Sequence, residues 1–410
     1  MSLLKQLRNL SYEMASQYNY DGFSSALRWG LDRGAQIALS PVARTSQKIL
    51  SPMLLSAEEL KTKLRHSSNI IEYGESKRAI IKEPDFYDNS DEDISERVGE
   101  YEISRPWVGS VDRATVIGTY PIVFRGKKVV TEAVGGPQVH LANMFYTLSE
   151  FGAHPKQFLS AGQAHPNDVV LLCNSWNSGY FHWVTESLSR LEGVEAYEQA
   201  TGIRPTLLLD PNPTDFQIES LKLAGYSESD WITWDCNRGI VENLIVPTNR
   251  READYSSYSL FDPSWLRRTL RPSAIKKIDQ SNFSERVYIS RSDASSRRVV
   301  NEEAVLEMLE SRGFEKYNLA LMSVAETIAL FEQAEIIVAP HGAGLTDIIY
   351  ADDAAIVELF RGAANTRVYF MLAKQLNMWY GYLNCEAIGP DMHVDLARLN
   401  TVLNAAYNNG

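Results

Sequence analysis

The sequence predicts an α/β protein of two domains facing a cleft, preceded by a helical N-terminal extension. Three observations carry this expectation. The chain has 410 residues, more than one core usually serves. From about residue 100, short apolar runs alternate with helical patterns, as in a parallel sheet with helices on its faces. The alternation comes in two series, and residues 256–283, with few apolar clusters, connect them.

Residues 1–100 are expected to form the extension and a charged linker. Leu3, Leu4, Leu7, Leu10 and Met14 recur at helical spacing, and the first fifty residues carry six Lys/Arg against three Asp/Glu. Such a helix packs on its own protein or a partner, or makes peripheral contact with a membrane. Ser40-Pro41 and Ser51-Pro52 punctuate it, and Asp88-Asn89-Ser90-Asp91-Glu92-Asp93 reads as solvated linker.

The first domain, 101–255, takes strands at Thr115-Val116-Ile117, Val129-Val130, Val169-Val170-Leu171-Leu172, Thr206-Leu207-Leu208-Leu209 and Leu244-Ile245-Val246-Pro247. Helices are expected over 181–200 and 214–225. The second domain, 284–390, takes strands over 286–290, 316–317, 335–339, 355–360 and 379–384, with helices over 301–312, 323–333 and 366–376. Residues 391–410 form a C-terminal helix. Ligands of α/β sheets lie off the carboxyl ends of the strands, so a cleft between the domains is the expected site.

Composition bounds the function. Hydrophobic content of 44% and charged content of 22% are those of a folded globular protein. A net charge of −12 argues against broad nucleic-acid binding, so any anionic ligand must meet a local basic site. Cys173, Cys236 and Cys385 are too few and scattered for a disulfide framework or zinc site, which suits a reducing compartment. No run of eighteen apolar residues and no secretory signal is present, so the expected location is cytoplasmic, with the N-terminal helix able to sit on the inner membrane face.

Pro340-His341-Gly342-Ala343-Gly344-Leu345-Thr346-Asp347 lies between the apolar runs Ile336-Ile337-Val338-Ala339 and Ala355-Ile356-Val357-Glu358-Leu359-Phe360. It reads as strand, glycine turn, short helix, strand. Glycines at 342 and 344 allow a ligand close to the backbone, and the free N–H groups opening a helix form an anion site. Asp347 stands where a dinucleotide fingerprint would continue toward its third glycine, and no Lys-Ser/Thr follows as in a P-loop. A nucleotide-dependent oxidoreductase is disfavoured on that ground.

Arg286, Arg291, Arg297 and Arg298 fall within thirteen positions of an acidic chain. Arg291 and Arg297 flank a serine-rich loop after a strand, where a guanidinium can bridge two phosphate oxygens. Glu358 interrupts an apolar strand, either to read a ribose hydroxyl or to pair with an arginine such as Arg361. His341 either donates to a phosphate or satisfies backbone groups in its turn.

In the first domain, Asn174-Ser175-Trp176-Asn177-Ser178-Gly179 forms a loop before Tyr180-Phe181-His182-Trp183-Val184-Thr185-Glu186. His182 and Glu186 are four apart on one helix face, so the carboxylate can orient the imidazole or the pair can flank a substrate. Tyr180, Phe181 and Trp183 are core residues or a sugar platform. There is no Gly-x-Ser-x-Gly elbow and no His-Glu-x-x-His helix, and the Asp91-Glu92-Asp93 triplet falls in the linker.

Taken together, Tyr180–Glu186, Arg286–Arg291 with Arg297-Arg298, and Pro340–Thr346 resemble, in order, the blocks of glycosyltransferase family 61, known from capsular polysaccharide clusters. The resemblance spans about 130–390. It implies two Rossmann-like domains of the GT-B type and inverting transfer from a nucleotide-sugar to a glycan or glycolipid acceptor, without metal or other cofactor. It also implies that Arg291, Arg297, His341, Gly342, Ala343 and Gly344 meet the donor diphosphate and that Glu358 lies near ribose or base. Asp347 departs from the asparagine common in the family. His182, oriented by Glu186, is the expected base; Glu186 itself or another first-domain aspartate are the alternatives. The competing reading is an inactive nucleotide- or glycan-binding protein on the same scaffold.

Overall fold

A computed structural model describes residues 53–67, 69–87, 97–153, 163–234, 238–252, 260–364 and 366–409. The expected N-terminal helix and the acidic run 88–93 lie outside them. The chain divides into two compact units, one from the described residues of 43–79 and 101–270, the other from those of 80–100 and 271–410. It passes from the first to the second within helix Ser264–Ile275. No described helix is long and apolar enough to cross a membrane.

The unit carrying 101–270 is built on a nine-stranded sheet. Arg238–Pro247, Gln163–Leu171, Thr206–Leu209 and Trp231–Thr233 lie side by side and parallel. Beyond Arg238–Pro247 the sheet turns antiparallel, through Trp107–Ile117, Ile122–Arg125 and Lys128–Val130. The expected parallel sheet is therefore corrected to a mixed one. The last two of these strands form a tight hairpin: Arg125 pairs with Lys128 across Gly126-Lys127, and Gly126 takes φ 59°, which suits a two-residue loop.

Residues 54–72, expected to be extension, belong to this sheet. Leu54–Leu55 pairs with Val129 and Val130, and Ile70–Glu72 pairs with Trp107–Ile117. Between them, helix Ala57–His66 opens on a capping box in which Glu59 N–H donates to Ser56 Oγ at 3.1 Å and Ser56 N–H donates to Glu59 Oε2 at 3.0 Å. Leu60 and Leu64, four apart, bury the inner face of that helix against the sheet core.

The other unit has a seven-stranded sheet in the order Glu315–Tyr317, Arg286–Ile289, Ile336–Pro340, Ala355–Arg361, Trp379–Ile388, Asp391–His393. All neighbours are parallel except the last pair. Ile336–Pro340 is buried at every position, as befits a strand covered on both faces. Helices Glu302–Glu310, Val324–Gln333 and Val368–Gln375 make the crossovers, and Leu396–Asn409 closes the chain after the short strand Asp391–His393. Phe86–Tyr87, another part of the expected linker, adds to this sheet beside Gly381 and Tyr382. Asp85 fixes it there, accepting from Lys374 Nζ at 2.5 Å and from Tyr380 N–H at 2.7 Å.

Because Glu315–Tyr317 follows Arg286–Ile289 in the chain but lies outermost in the sheet, the strand order reverses between Arg286–Ile289 and Ile336–Pro340. Loops leaving the carboxyl ends of strands at such a reversal splay apart and open a crevice. Here they are the segments beginning at Ser290 and His341.

Candidate functional site

Arg291 and the glycine turn meet at that reversal. Gly342 has extended backbone, φ 176°, open to any residue, yet a Cβ there would lie 2.1 Å from Arg291 Nη1. Glycine is needed for the closeness of the guanidinium. Nη2 of Arg291 donates to Ser296 O at 3.4 Å, while Nε has no acceptor among the described residues. Burial, reinforced by the Arg297 charge, pushes the guanidinium down to about 10, still cationic at neutral pH. A cavity of about 160 Å³ opens beside it, lined by Ile289, Arg291, Asn318, Leu319, Pro340 and Gly342 among others.

Arg297 has φ 60°, a left-handed conformation costly for a residue that carries a Cβ, and its N–H donates to Pro390 O at 2.9 Å. Its neighbour Arg298 is committed elsewhere, holding Asp391 through Nε at 3.1 Å and Nη2 at 2.6 Å. After Gly342 the chain enters a 3-10 helix, Ala343–Tyr350, rather than an α-helix, and no side chain caps its start. The opening N–H groups therefore have no side-chain cap. Asp347 is buried within that helix.

His341 and Glu358 form one assembly. Nδ1 of His341 donates to Glu358 Oε1 at 2.5 Å, and the other carboxylate oxygen takes the Tyr380 hydroxyl at 2.6 Å. Glu358 is 1% exposed. Its partners are thus His341 and Tyr380, not Arg361. The imidazole stacks on Phe360 with ring centroids 5.3 Å apart, lies 5.4 Å from the Tyr369 ring, and turns Nε2 to Thr366 Oγ1 at 3.1 Å. Both arginines act electrostatically on Tyr369. Arg291, Arg297, His341 and Gly342 are therefore brought together, with Glu358 behind His341.

In the other unit the expected regular helix from 181 is interrupted. Tyr180–His182 is one α-turn, Trp183–Ser187 is π-helical, Leu188–Arg190 is 3-10, and only Leu191–Thr201 is regular α-helix. Side chains enter the ladder: Thr185 Oγ1 donates to Phe181 O and Ser189 Oγ to Thr185 O, both at 2.8 Å, and Asn249 Nδ2 donates to Glu186 O at 3.2 Å. His182 Nδ1 still meets Glu186 Oε1 at 2.9 Å. Glu186 Oε2 has no partner among the described residues. Trp183 is core, donating to Ser220 Oγ at 2.8 Å, whereas Trp176 packs 4.9 Å from the His182 ring.

The loop before His182 leaves the carboxyl end of Gln163–Leu171, the strand flanked by Thr206–Leu209 on one side and Arg238–Pro247 on the other. Sequence reasoning missed what joins it there. Asn177 Nδ2 donates to Asp210 Oδ2 at 2.9 Å, and Gln217 Nε2 donates to Asn177 O at 3.1 Å. Burial raises the Asp210 carboxyl to about 6, against these donors. Asp210-Pro211 at the end of an apolar strand was the available signal. Arg190, 2% exposed, spends its guanidinium on the carbonyls of Pro247, Leu171, Glu132 and Ala133 at 2.8–3.4 Å and so ties two strand ends to the turn at 131–134.

The family model of Glycosyltransferase 61 matches residues 180–357, which take in His182, Glu186, Arg291, Arg297 and the turn His341–Gly344. This stretch of the chain is similar to glycosyltransferase family 61. No curated protein matches the chain.

Proposed function

We propose that the protein is an inverting glycosyltransferase that uses a nucleotide-sugar, with Arg291, Arg297, His341, Gly342, Ala343 and Gly344 meeting the donor diphosphate. Arg291 supports the reading most: a half-buried cation packed on Gly342, it lines the cavity at the strand reversal. A guanidinium facing such a cavity suits an anion that accepts several hydrogen bonds. In the transfer the diphosphate leaves, and its growing charge falls to the two arginines and the uncapped N–H groups, so no resident metal is required.

Glu358 serves the nucleotide indirectly in this reading. Its oxygens face His341 and Tyr380, so it sets the imidazole ring instead of touching ribose or base. His182 is the base. Its Nδ1–H donates to Glu186, leaving the Nε2 lone pair for the acceptor hydroxyl proton, and the carboxylate then stabilises the imidazolium. The product belongs to a surface polysaccharide or a glycoprotein glycan.

A thermal-shift panel of uridine, guanosine and cytidine nucleotide-sugars tests the reading, followed by a donor-hydrolysis assay on whichever binds. A ligand at a hundred times its Kd stabilises the fold by roughly 2.7 kcal/mol, a readily measured rise in Tm. No shift with any of them counts against the donor site.

A further inference from the structure

Asp85 grips one residue of the seven-stranded sheet by both of its backbone groups. Its N–H donates to Tyr380 O at 2.8 Å, and its Oδ2 accepts from Tyr380 N–H at 2.7 Å. The same oxygen takes Lys374 Nζ at 2.5 Å. The Lys374 side chain is 8% exposed and donates also to Met378 O at 3.1 Å. An ammonium so deep requires an anionic partner, and Asp85 supplies it.

Both partners of Asp85 lead to His341. Tyr380 gives its hydroxyl to Glu358 Oε2 at 2.6 Å, and Glu358 Oε1 holds His341 Nδ1. Lys374 lies in the last turn of helix Val368–Gln375, which also carries Tyr369, the ring 5.4 Å from His341. A third path starts two residues after Asp85. Tyr87 stacks on Tyr382 with centroids 6.5 Å apart, Tyr382 meets Phe360 edge-on at 5.9 Å, and Phe360 stacks on His341 at 5.3 Å. All of these residues belong to one compact unit. Asp85 itself lines a different cavity from Arg291, one of about 450 Å³ shared with Lys82, Lys374 and Trp379.

We propose that Asp85 is a positioning residue for the donor site, setting the His341 ring without touching the nucleotide. The proposal rests on the diphosphate reading above and deepens it by adding a residue that acts through others. Close packing transmits a shift of Tyr380 or of the Lys374 helix instead of absorbing it. Hydrogen bonds weaken steeply with misalignment, so the Tyr380–Glu358–His341 chain registers such a shift. Asparagine at 85 would keep an acceptor of similar shape but leave the Lys374 ammonium without its counter-charge.

Calorimetry on the full chain tests this, with uridine, guanosine and cytidine diphosphates as probes. Wild type, Asp85→Asn, His341→Gln and the double variant are compared in a double-mutant cycle, and Tm is measured without ligand. For the diphosphate that binds wild type, Kd should rise about fivefold in Asp85→Asn. In the His341→Gln background the same change should raise it less than about twofold, because the ring to be positioned is gone. Should Asp85→Asn not fold, Asp85→Asn combined with Lys374→Met carries the test, since it leaves no buried charge unpaired. A lower Tm with unchanged Kd marks a purely structural ion pair and overturns the proposal. So does a fivefold rise that persists without the imidazole. Either result leaves the donor reading intact, because wild type still binds. Failure of wild type to bind any of the three diphosphates overturns both.

Discussion

His341 and Glu358 are 2.5 Å apart, Nδ1 to Oε1, and the second oxygen of Glu358 is held by Tyr380 at 2.6 Å. The pair joins the first residue of the glycine turn to the middle of the neighbouring strand. With Nδ1 held by Glu358, the other ring nitrogen, Nε2, meets Thr366 Oγ1 at 3.1 Å, so the ring orientation is set from both sides. Glu358→Gln keeps the shape but loses a charge-assisted hydrogen bond of about 1.5–3 kcal/mol, so nucleoside-diphosphate Kd should rise about tenfold or more by calorimetry. Tyr380→Phe should do less, because Glu358 keeps its bond to His341.

Gly342→Ala separates space from backbone strain. The backbone there suits any residue, but the new methyl would meet Arg291 Nη1 at 2.1 Å. The guanidinium is the movable end of a long side chain, so the fold should keep its Tm. Displaced, it should lose its hold on the diphosphate, with a rise in Kd of about tenfold. A variant that binds as wild type does would separate Arg291 from the nucleotide.

How far the sequence carries differs between the two units for a physical reason. Ile336–Pro340 and Ala355–Arg361 are parallel strands buried on both faces, so each is written as a nearly unbroken apolar run. Leu54–Leu55 and Phe86–Tyr87 are two residues each, and distant partners at Val129 and Gly381 decide that they are strands at all. The same contrast holds for the sites. Arg291 and the glycine turn were legible because they directly follow strands, whereas Thr366, Tyr380, Asn249 and Asp210 come from elements remote in sequence. The π-helical Trp183–Ser187 had a fainter signal, hydroxyl residues at 185 and 189 that compete for helix carbonyls.

Arg190 should matter to stability independently of catalysis. Replacing it by Met leaves the carbonyls of Leu171, Pro247, Glu132 and Ala133 without their buried donor. The expected loss is about 3–5 kcal/mol, read as a fall in the urea midpoint of this unit. A change below about 1 kcal/mol would mean that the turn at 131–134 is held by other contacts.

Two buried groups set opposing pH dependences. The Asp210 carboxyl is raised to about 6, so between pH 4 and 6 the folded state holds more protons than the unfolded one and stability falls as pH rises. His140 is lowered from 6.5 to about 4, so over that interval the unfolded state holds more protons and stability rises with pH. Each effect reaches about 3 kcal/mol, and together they nearly cancel. Asp210→Asn should therefore make Tm climb with pH from 4 to 6.5, and His140→Gln should make it fall from 4 to 6. Parallel Tm profiles for wild type and both variants would contradict this assignment.

In the proposed reaction the Arg291 pocket holds the donor diphosphate during turnover. Hydrolysis of the best-bound nucleotide-sugar, followed for wild type and Arg291→Ala under equal conditions, addresses it most directly. In the variant kcat/KM should fall by about a hundredfold or more, the loss of a charge-assisted contact that strengthens as the diphosphate leaves, while Tm without ligand stays within a few degrees. Equal kcat/KM in the two proteins would contradict it.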